Sequence, residues 1–339
     1  MATLRDVAKL AKLSTGTVSK YINGNKISEN NKIKIEKAIE LLKYSPNPLA
    51  RKLAKGNSYT ILLFVIVESP IVVSTWLHEL PIIQGISDVL KTSEYRLEIE
   101  ISSINLEQSN IQKLEEYTSN KSIEALILLS PWEINERLLA LLDYRDFPYV
   151  IIGNGNTLHP HKSIDFDNYK PIYNIVKHQY NMGHKNFGMI AGFKDQHHMQ
   201  MRVLAFENAL KEMNLFYEDS IIKYGDYSLQ SGYKLANEFL QSDNCPTTMI
   251  CGNDYVAAGA IKAIKERGLN VPTNIAVSGF DATVVSEALD PVLTTVEVPS
   301  YEMGEKAIVE LLKKLDNSDY QIKNVLLESQ NIFRDSTSK

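Results

Sequence analysis

Polar side chains that could bind a small molecule follow several apolar runs of the sequence, at the point where each run ends. Asn154 follows one run, Asn253 and Asp254 follow another, and Asp281 comes directly after Ser-Gly-Phe. If these runs are parallel strands, their carboxyl ends meet at one edge of a sheet, where α/β proteins bind ligands. Asp and Asn at such positions also cap the following helix, so helix capping is the competing interpretation.

The residues that would support catalysis or metal binding do not occur in the required patterns. The stretch 153–155 lacks the third glycine of a dinucleotide-binding loop, and the chain has neither a Walker A loop nor a GxSxG nucleophile elbow. His159 with His161, and His197 with His198, have no Cys or carboxylate at ligand spacing, so we interpret them as surface histidines. We therefore predict that the protein is not an enzyme and uses neither a cofactor nor a metal.

The charge of the chain is unevenly divided, with a basic first segment and an acidic remainder. Residues 1–56 hold twelve Lys and Arg against four Asp and Glu, which gives +8, while the whole chain of 339 residues carries −5. A basic segment on an acidic body is typical of a nucleic-acid contact confined to that segment, and a solvated basic surface is the alternative.

Length and composition set the class of protein. A chain of 339 residues suggests two or three domains. No apolar run reaches membrane-spanning length and the first residues lack a signal core, so we expect a cytoplasmic protein with no membrane partner. Cys245 and Cys251 match neither a zinc pair nor a disulfide framework, and we expect both to be reduced.

The first fifty residues contain the pattern of a helix-turn-helix. Thr3 is a suitable N-cap, Asp6 stands at the capping-box position, and Ser14 is a second cap close behind. Apolar residues repeat at helical spacing in both predicted helices: Leu4, Val7, Ala8, Ala11, then Val18, Tyr21 and Ile22. The opposite face of the second helix is polar or small, as insertion into the major groove requires: Thr15, Gly16, Ser19 and Lys20. A third helix, capped by Ser28, presents Ile35, Ala38, Ile39 and Leu42.

The segment Pro46–Leu53 begins with a proline suited to a first helical turn. We predict a brief helix there that is disordered in the free protein and folds when two copies meet on DNA. Its small Ala50 and apolar Leu49 and Leu53 suit a wedge that enters the minor groove of DNA. A basic linker between domains fits this segment equally well on its own.

Beyond residue 59 the chain alternates apolar runs with amphipathic helical stretches. Because the runs are continuous rather than alternating, they favour parallel strands that are covered by helices on both faces. The predicted strands are Tyr59–Val67, Ala125–Leu129, Tyr149–Ile152, Phe187–Ala191, Thr248–Cys251 and Ile275–Ser278.

These motifs together resemble the lactose-repressor (LacI/GalR) family. The N-terminal similarity lies in Thr3–Ala8, Ser14–Lys20 and Tyr44–Asn47. Further matches run through the body: Met182–His184, Asn253-Asp254 with Ala258–Ala260, Val277–Asp281, Leu293–Val296 and Met303-Gly304. The resemblance therefore covers nearly the whole chain.

The resemblance implies an α/β protein with an N-terminal all-α helix-turn-helix domain, a hinge, and a two-subdomain core similar to periplasmic binding proteins. By this comparison residues 1–45 form the DNA-binding domain and residues 46–58 the hinge. The N-subdomain comprises residues 59–157 and 298–318, and the C-subdomain comprises residues 158–297 and 319–335. Three crossovers, near 156–165, 296–300 and 316–321, join the subdomains.

The resemblance also assigns DNA contacts. Residues at base-reading positions are Thr15, Gly16 and Lys20, residues at phosphate positions are Thr3, Ser14, Thr17 and Asn23, and residues of the hinge contact are Asn47, Ala50 and the intercalating Leu53. Lys12 stands where the family usually has a turn glycine, and Lys20 replaces the commoner arginine. Because lysine lacks the bidentate fork of arginine, we expect weaker base discrimination there.

For the effector, the resemblance implies that Arg202, Asn253 and Asp281 bind ligand hydroxyls. Asn154 and Asp195 are further candidates, and the apolar walls would come from Trp76, Phe166, Phe206 and Tyr227. The stretch Val67–Trp76 departs from the family pattern, so the ligand chemistry after the first strand does not transfer. A sugar or sugar phosphate is favoured over a nucleoside or purine.

The resulting hypothesis is a repressor that binds double-stranded operator DNA and is controlled by a small-molecule effector. We expect a homodimer on a near-palindromic operator, with a tetramer left open. The sequence is equally consistent with an effector that releases DNA and one that promotes binding. The competing hypothesis is a solute-binding protein, specific for a sugar, without a role on DNA.

Overall fold

The computed structural model describes residues 2–22, 25–44, 58–68, 73–153, 162–215 and 221–338, with only the backbone described for 73–78. The chain divides into two compact units, Met1–Tyr59 and Thr60–Lys339. The predicted hinge helix, with Asn47, Ala50 and Leu53, lies outside the described residues, and so do Asn23 and Asn154.

In the described part of the N-terminal unit the helices are α1 (Leu4–Ala11), α2 (Thr15–Ile22) and α3 (Glu29–Leu42). Thr3 and Asp6 form the predicted capping box, and the Ser14 hydroxyl accepts the Thr17 N–H at 3.2 Å at the start of α2. The predicted cap of α3 is wrong in one respect, because Ser28 occupies the N-cap position but its side chain makes no capping hydrogen bond. The helices bury a small apolar core: Val7, Ala8, Ala11, Val18, Ile35 and Ala38.

Lys12 adopts a left-handed conformation, with φ of 54°, at the end of α1. Its N–H donates to the last carbonyls of the helix, as glycine does at this position in other helices. The turn is therefore made without the glycine that the family usually has, at a modest conformational cost for a residue with a Cβ.

The second unit contains two parallel sheets. In the first sheet the strand order is β11-β5-β4-β3-β1-β2, and in the second it is β7-β6-β8-β9. The strands of the first sheet are β1 (Thr60–Val67), β2 (Arg96–Ser103), β3 (Ala125–Leu129), β4 (Tyr149–Ile152), β5 (Ser163–Phe166) and β11 (Val325–Leu327). Those of the second sheet are β6 (Phe187–Ala191), β7 (Ile222–Tyr224), β8 (Thr248–Cys251) and β9 (Ala276–Ser278). The predicted parallel architecture is confirmed, and every residue of β1 is buried.

Helices connect and cover these strands. They are α4 (Val73–Leu90), α5 (Glu107–Ser119), α6 (Glu136–Tyr144), α7 (Tyr169–Asn181), α8 (His197–Glu212), α9 (Leu229–Leu240), α10 (Asp254–Glu266), α11 (Val284–Ala288) and α12 (Ser300–Asp316). A short antiparallel pair, β10 (Thr295–Glu297) with β12 (Gln330–Ile332), lies outside the two sheets. Among the described residues, no helix is both long and apolar enough to cross a membrane.

Strand pairing shifts two of the predicted subdomain boundaries. Ser163–Phe166 and Val325–Leu327 pair with each other in the first sheet, although both segments were assigned to the C-subdomain. The first crossover therefore follows residue 166, and the third follows residue 327. The predicted boundaries were wrong because a short strand of mixed polarity, such as Ser-Ile-Asp-Phe, resembles a connecting segment when its pairing partner is unknown.

Helices α4 and α12 pack closely on each other because glycine stands at their contact. A Cβ on Gly304 would overlap the carbonyl oxygen of Ile82, and one on Gly85 would overlap that of Tyr301. This close approach fixes α4 beside the carboxyl end of β1, where it forms one wall of the candidate site.

Candidate ligand cleft and DNA-contacting helix

A cavity of about 130 Å³ lies between the two sheets, at the carboxyl ends of their strands. Residues of both subdomains line this cavity. It lies at the carboxyl ends of parallel strands, where the sequence predicted a ligand site. From the first subdomain the lining includes Ile66, Val67, Glu68, Glu79, Ser130, Trp132 and Phe166. From the second it includes Phe193, Gln196, His198, Arg202, Asp226, Tyr227, Asn253 and Asp281.

Arg202 is held rigidly at the back of this cavity. It is 5% exposed, its Nε donates to Asn168 Oδ1 at 2.8 Å, and its Nη1 donates to the Gly252 carbonyl at 2.7 Å. The guanidinium stacks on the Phe280 ring at 3.4 Å, and Nη2 lies 4.0 Å from Asp281 Oδ1. Burial lowers the pKa of Arg202, but a guanidinium remains charged in proteins. The predicted ligand residue is thus pre-oriented by groups other than a ligand.

Asp281 follows β9 in a strained backbone conformation, with φ of 98°. A non-glycine residue in this region is uncommon, and such strain persists where surrounding contacts impose it. Here its N–H donates to the Val296 carbonyl at 2.9 Å, and its carboxylate faces Arg202 in the cavity lining. The strain directs a carboxylate into the cleft.

Asn253 lines the cavity, but two hydrogen bonds of its side chain are structural. Its Oδ1 accepts the Val256 N–H at 2.8 Å as the N-cap of α10, and its Nδ2 donates to the Tyr227 carbonyl at 3.2 Å. The capping interpretation describes these two bonds, so any ligand contact by Asn253 must be additional to them.

Asp254 stabilises the loop that follows β9 and contains Asp281. Its carboxylate accepts the Thr295 hydroxyl at 2.6 Å, and the Thr283 N–H and hydroxyl at 2.6 and 2.9 Å. Burial, with a contribution from the Asp281 charge, raises the pKa of Asp254 to about 7. These bonds tie α10 to the loop that carries Asp281.

A buried Asp–His pair joins the two subdomains, and the sequence analysis missed it. His198 Nε2, on α8, lies 2.9 Å from Asp165 Oδ1, on β5. Burial acts to raise the pKa of Asp165, but the charge and hydrogen bond of His198 and the Phe166 N–H hold it below its usual value. The interpretation of His198 as a surface residue was wrong, because it is 8% exposed and packs on the Phe166 ring.

Aromatic rings form the walls of the cleft. Phe166 and Tyr227 lie in the lining, as expected, and Phe193 and Trp132 join them. The Tyr227 ring packs so closely on Gly192 that a Cβ there would overlap it. Burial raises the pKa of the Tyr227 hydroxyl, so the ring stays neutral.

Two expected effector residues lie elsewhere. Phe206 is fully buried in the hydrophobic core because α8 turns its ring inward, and it does not line the cavity. Asp195 is exposed in the loop before α8 and also lies outside the lining, whereas the adjacent Gln196 lies within it. The side chain of Trp76 is outside the described residues.

Glu79 on α4 is a lining residue that no motif indicated. It is 8% exposed, and its Oε2 has no hydrogen-bond partner in the described structure. Burial raises the pKa of Glu79 to about 8. A glutamate within the apolar stretch Trp-Leu-His-Glu-Leu-Pro-Ile-Ile is the only signal that the sequence offers.

In the N-terminal unit, the outer face of α2 is exposed as expected. Thr15, Gly16 and Lys20 are exposed, and the space around the Gly16 Cα is open, with only the Ser14 hydroxyl within 4 Å of a Cβ placed there. Gly16 and Lys20 are four residues apart and share a face. Thr3, Ser14 and Thr17 lie at the N-terminal ends of α1 and α2, where backbone N–H groups favour anions such as phosphate.

Comparison with known proteins agrees with both units. Residues 3–47 match "Bacterial regulatory proteins, lacI family", and residues 176–337 match "Periplasmic binding protein-like domain". The HTH-type transcriptional repressor PurR of Pectobacterium carotovorum subsp. carotovorum (strain PC1) is 32% identical over 321 residues, which cover 93% of this chain and 91% of PurR. Catabolite control protein A of Priestia megaterium is 30% identical over 338 residues, 99% of each chain.

The fold is also similar to a solved structure. The Lac repressor dimer bound to operator and the anti-inducer ONPF aligns with a TM-score of 0.86 at 24% identity, and the alignment covers 100% of this chain and 99% of that one.

Proposed function

Because the chain belongs to the lacI family of bacterial regulatory proteins, we propose that it represses transcription by binding operator DNA, with an affinity set by a small molecule in the cleft. The observation that carries this proposal is the exposed, polar face of α2 within a segment of charge +8. A solute-binding protein without a role on DNA would have no use for the segment 3–47, which matches the DNA-binding family.

In this proposal Thr15, Gly16 and Lys20 face base edges in the major groove. Lys20 supplies the charged donor, and Gly16 allows the helix to approach the bases closely without contributing a side-chain hydrogen bond. Phosphate contacts come from Thr3, Ser14 and Thr17 at the helix N-termini. The assignments of Asn23, Asn47, Ala50 and Leu53 stay predictions from the family resemblance.

The cleft is the proposed effector site. Arg202, Asp281 and Asn253 supply polar contacts, and Phe166 and Tyr227 supply apolar surface for a ring. The PurR and Lac repressor relatives are a repressor and a dimer on operator by name, and we infer a homodimer on a near-palindromic operator for this chain. We further propose that it acts in the cytoplasm and catalyses no reaction.

The coupling between cleft and DNA has a physical basis in the cleft itself. The lining comes from both subdomains, so a ligand that contacts both changes the free energy of one subdomain arrangement relative to another. Couplings of this kind are typically about 1–3 kcal/mol. This coupling free energy can be positive or negative. A ligand that releases DNA and a ligand that promotes DNA binding are therefore both consistent with the mechanism.

The test begins with a DNA duplex selected by the purified protein from a random library. Affinity is then measured by fluorescence anisotropy at several salt concentrations for the wild type, for Lys20→Ala, and for Lys262→Ala in the core as a charge-matched control. We expect Lys20→Ala to weaken binding of the selected duplex by about 10- to 100-fold and to reduce its preference over random DNA.

The salt dependence gives an independent readout. Log affinity of the wild type falls linearly with log salt, by a slope of about −0.9 for each phosphate neutralised. Lys262→Ala leaves both quantities unchanged. An affinity for the selected duplex that Lys20→Ala does not alter, or a flat salt response, contradicts the proposed contact.

A further inference from the structure

The cleft contains more negative charge than its own cations neutralise, and one buried carboxyl group there has an oxygen without a partner. We propose that the effector carries a positively charged amino group, and that its class is an amine-bearing polyol such as an amino sugar. This inference rests on the proposed function, because it names the ligand class of the same cleft.

Glu79 is the first observation. Its carboxyl group lies in the lining of the cavity, nine-tenths buried, and the described residues offer no hydrogen-bond partner to Oε2. A buried polar atom without a partner is costly, and native structures rarely leave one unsatisfied without a reason. A donor from a bound ligand would satisfy it.

The balance of charge is the second observation. Among the described residues, four acidic side chains line the cavity: Glu68, Glu79, Asp226 and Asp281. Because burial raises the pKa of Glu79 to about 8, this group mostly holds its proton at pH 7, and the excess negative charge comes from the other three. The described part of the lining has two basic side chains, Arg202 and His198, and both already have partners. Among the carboxylates, Asp226 accepts the N–H and the hydroxyl of Ser228. Arg202 donates hydrogen bonds to Asn168 and Gly252 and lies beside the Asp281 carboxylate. His198 is hydrogen-bonded to Asp165. An anionic ligand such as a sugar phosphate is therefore disfavoured, and a cationic ligand is favoured.

The third observation concerns the positions of two of these carboxylates in the fold. Glu68 directly follows β1 of the first sheet, and Asp226 follows β7 of the second, so the two carboxylates line the cavity from opposite subdomains. Burial, together with the Asp226 charge, raises the pKa of Glu68. An ammonium group in the cleft would relieve this like-charge repulsion, whereas a neutral hydroxyl would not.

The aromatic walls fit the same ligand. Trp132, Phe193 and Tyr227 form a connected set, with ring centroids 6.1 Å apart for the first two and 5.7 Å for the last two. Aromatic faces attract cations and also pack on the apolar face of a sugar ring. A metal ion is a poorer candidate, because no group of three His, Cys, Asp or Glu in the described structure is arranged to bind one.

Proton release distinguishes an ammonium ligand from a polyol. Burial raises the pKa of Glu79 to about 8, so at pH 7 about nine-tenths of the empty protein holds this proton. Pairing with an ammonium stabilises the carboxylate, and the proton is released to the buffer. The other titratable groups that line the cavity are Glu68, His198, Arg202, Asp226, Tyr227 and Asp281.

The test compares amines with their hydroxyl counterparts. Glucosamine, galactosamine and mannosamine are titrated calorimetrically into the full-length protein beside glucose, galactose and mannose, each pair differing at one carbon. We expect at least one amine to bind at least ten-fold more tightly than its counterpart, which corresponds to about 1.4 kcal/mol. Repeating that titration in two buffers of different ionisation enthalpy should show proton release.

Two variants locate the effect. Glu79→Gln keeps the shape of the side chain and should reduce both the preference for the amine and the released protons by more than half. Glu136→Gln, at the exposed start of α6, should change neither. If Glu79→Gln does not fold, the preference and proton release of the wild type decide the question.

The result that overturns the inference is a hydroxyl sugar that binds as tightly as its amine, or a panel in which no amine binds. In either case the selected DNA duplex is still bound if the proposed function holds. Loss of DNA binding would instead contradict the proposed function and leave the cleft chemistry to be judged on the calorimetry alone.

Discussion

Glu79 should make the stability of the empty core fall as the pH rises, and Glu79→Gln should remove this dependence. The carboxyl group of Glu79, on α4, is buried, and burial raises its pKa from 4.5 to about 8. In the unfolded chain the same group has its ordinary pKa and loses its proton at much lower pH. The two states therefore bind different numbers of protons between these values.

The sign follows from that difference. Below pH 4.5 both states hold the proton, and Glu79 contributes no pH dependence. Between 4.5 and 8 the folded state holds a proton that the unfolded state has released, so raising the pH favours unfolding. From pH 5 to pH 8 the wild type should lose about 3 kcal/mol of unfolding free energy that the glutamine variant keeps.

Urea unfolding of the full-length protein at both pH values measures this difference. Both tryptophans of the chain, Trp76 and Trp132, belong to the core unit, so their fluorescence reports on its unfolding. The pH-dependent loss for Glu79→Gln is subtracted from that of the wild type. Other groups with raised pKa values, such as Asp254, are present in both proteins and cancel.

Glu136→Gln serves as the control, because it removes the same charge from an exposed position and should retain the wild-type pH dependence. A wild-type loss that differs from the Glu79→Gln loss by less than about 0.5 kcal/mol would refute the reasoning, since it would mean that the Glu79 carboxyl group is solvated or paired in the folded protein.

Two further predictions concern local structure. Thr3→Ala removes the capping box with Asp6 and should lower the stability of the N-terminal unit by about 1 kcal/mol, measured by amide hydrogen exchange in α1. Gly304→Ala should destabilise the core by about 1–3 kcal/mol in urea unfolding, because its Cβ overlaps the Ile82 carbonyl, whereas Gly16→Ala, which has open space, should not destabilise the N-terminal unit.

The elements that the sequence predicted well are those whose signal lies within a short stretch of residues. The starts of α1 and α2 were predicted because Thr3 and Ser14 satisfy nearby backbone N–H groups, which depends on residues three positions apart. Buried strands such as β1 were predicted because a strand covered on both faces must be apolar throughout. Strand β5 was missed because it is a strand only through its pairing with β4 and β11.

The residues of the candidate site likewise fall into those that the sequence predicted and those that it did not. Asp281 and Asn253 were predicted as site residues because each follows an apolar run. The carboxyl end of a parallel strand is where α/β proteins bind ligands, and this end can be located from the sequence. The Asp165–His198 pair was not found, because 33 residues and a change of subdomain separate its members. Glu79 was missed because its orientation depends on how α4 packs on α12.

The two contacts across the cleft oppose each other, and this opposition bears on control of the protein. The Asp165–His198 bond joins the subdomains, while Glu68 and Asp226 repel each other from opposite sides. A neutral ligand leaves this repulsion in place, so its difference in affinity for two arrangements comes from packing and hydrogen bonds alone. An ammonium group attracts both carboxylates, and this attraction is greatest when they are closest. A ligand shifts an equilibrium only by its difference in affinity for the two states. For the cationic effector proposed above, this attraction therefore adds to the difference in affinity that regulation of operator affinity requires.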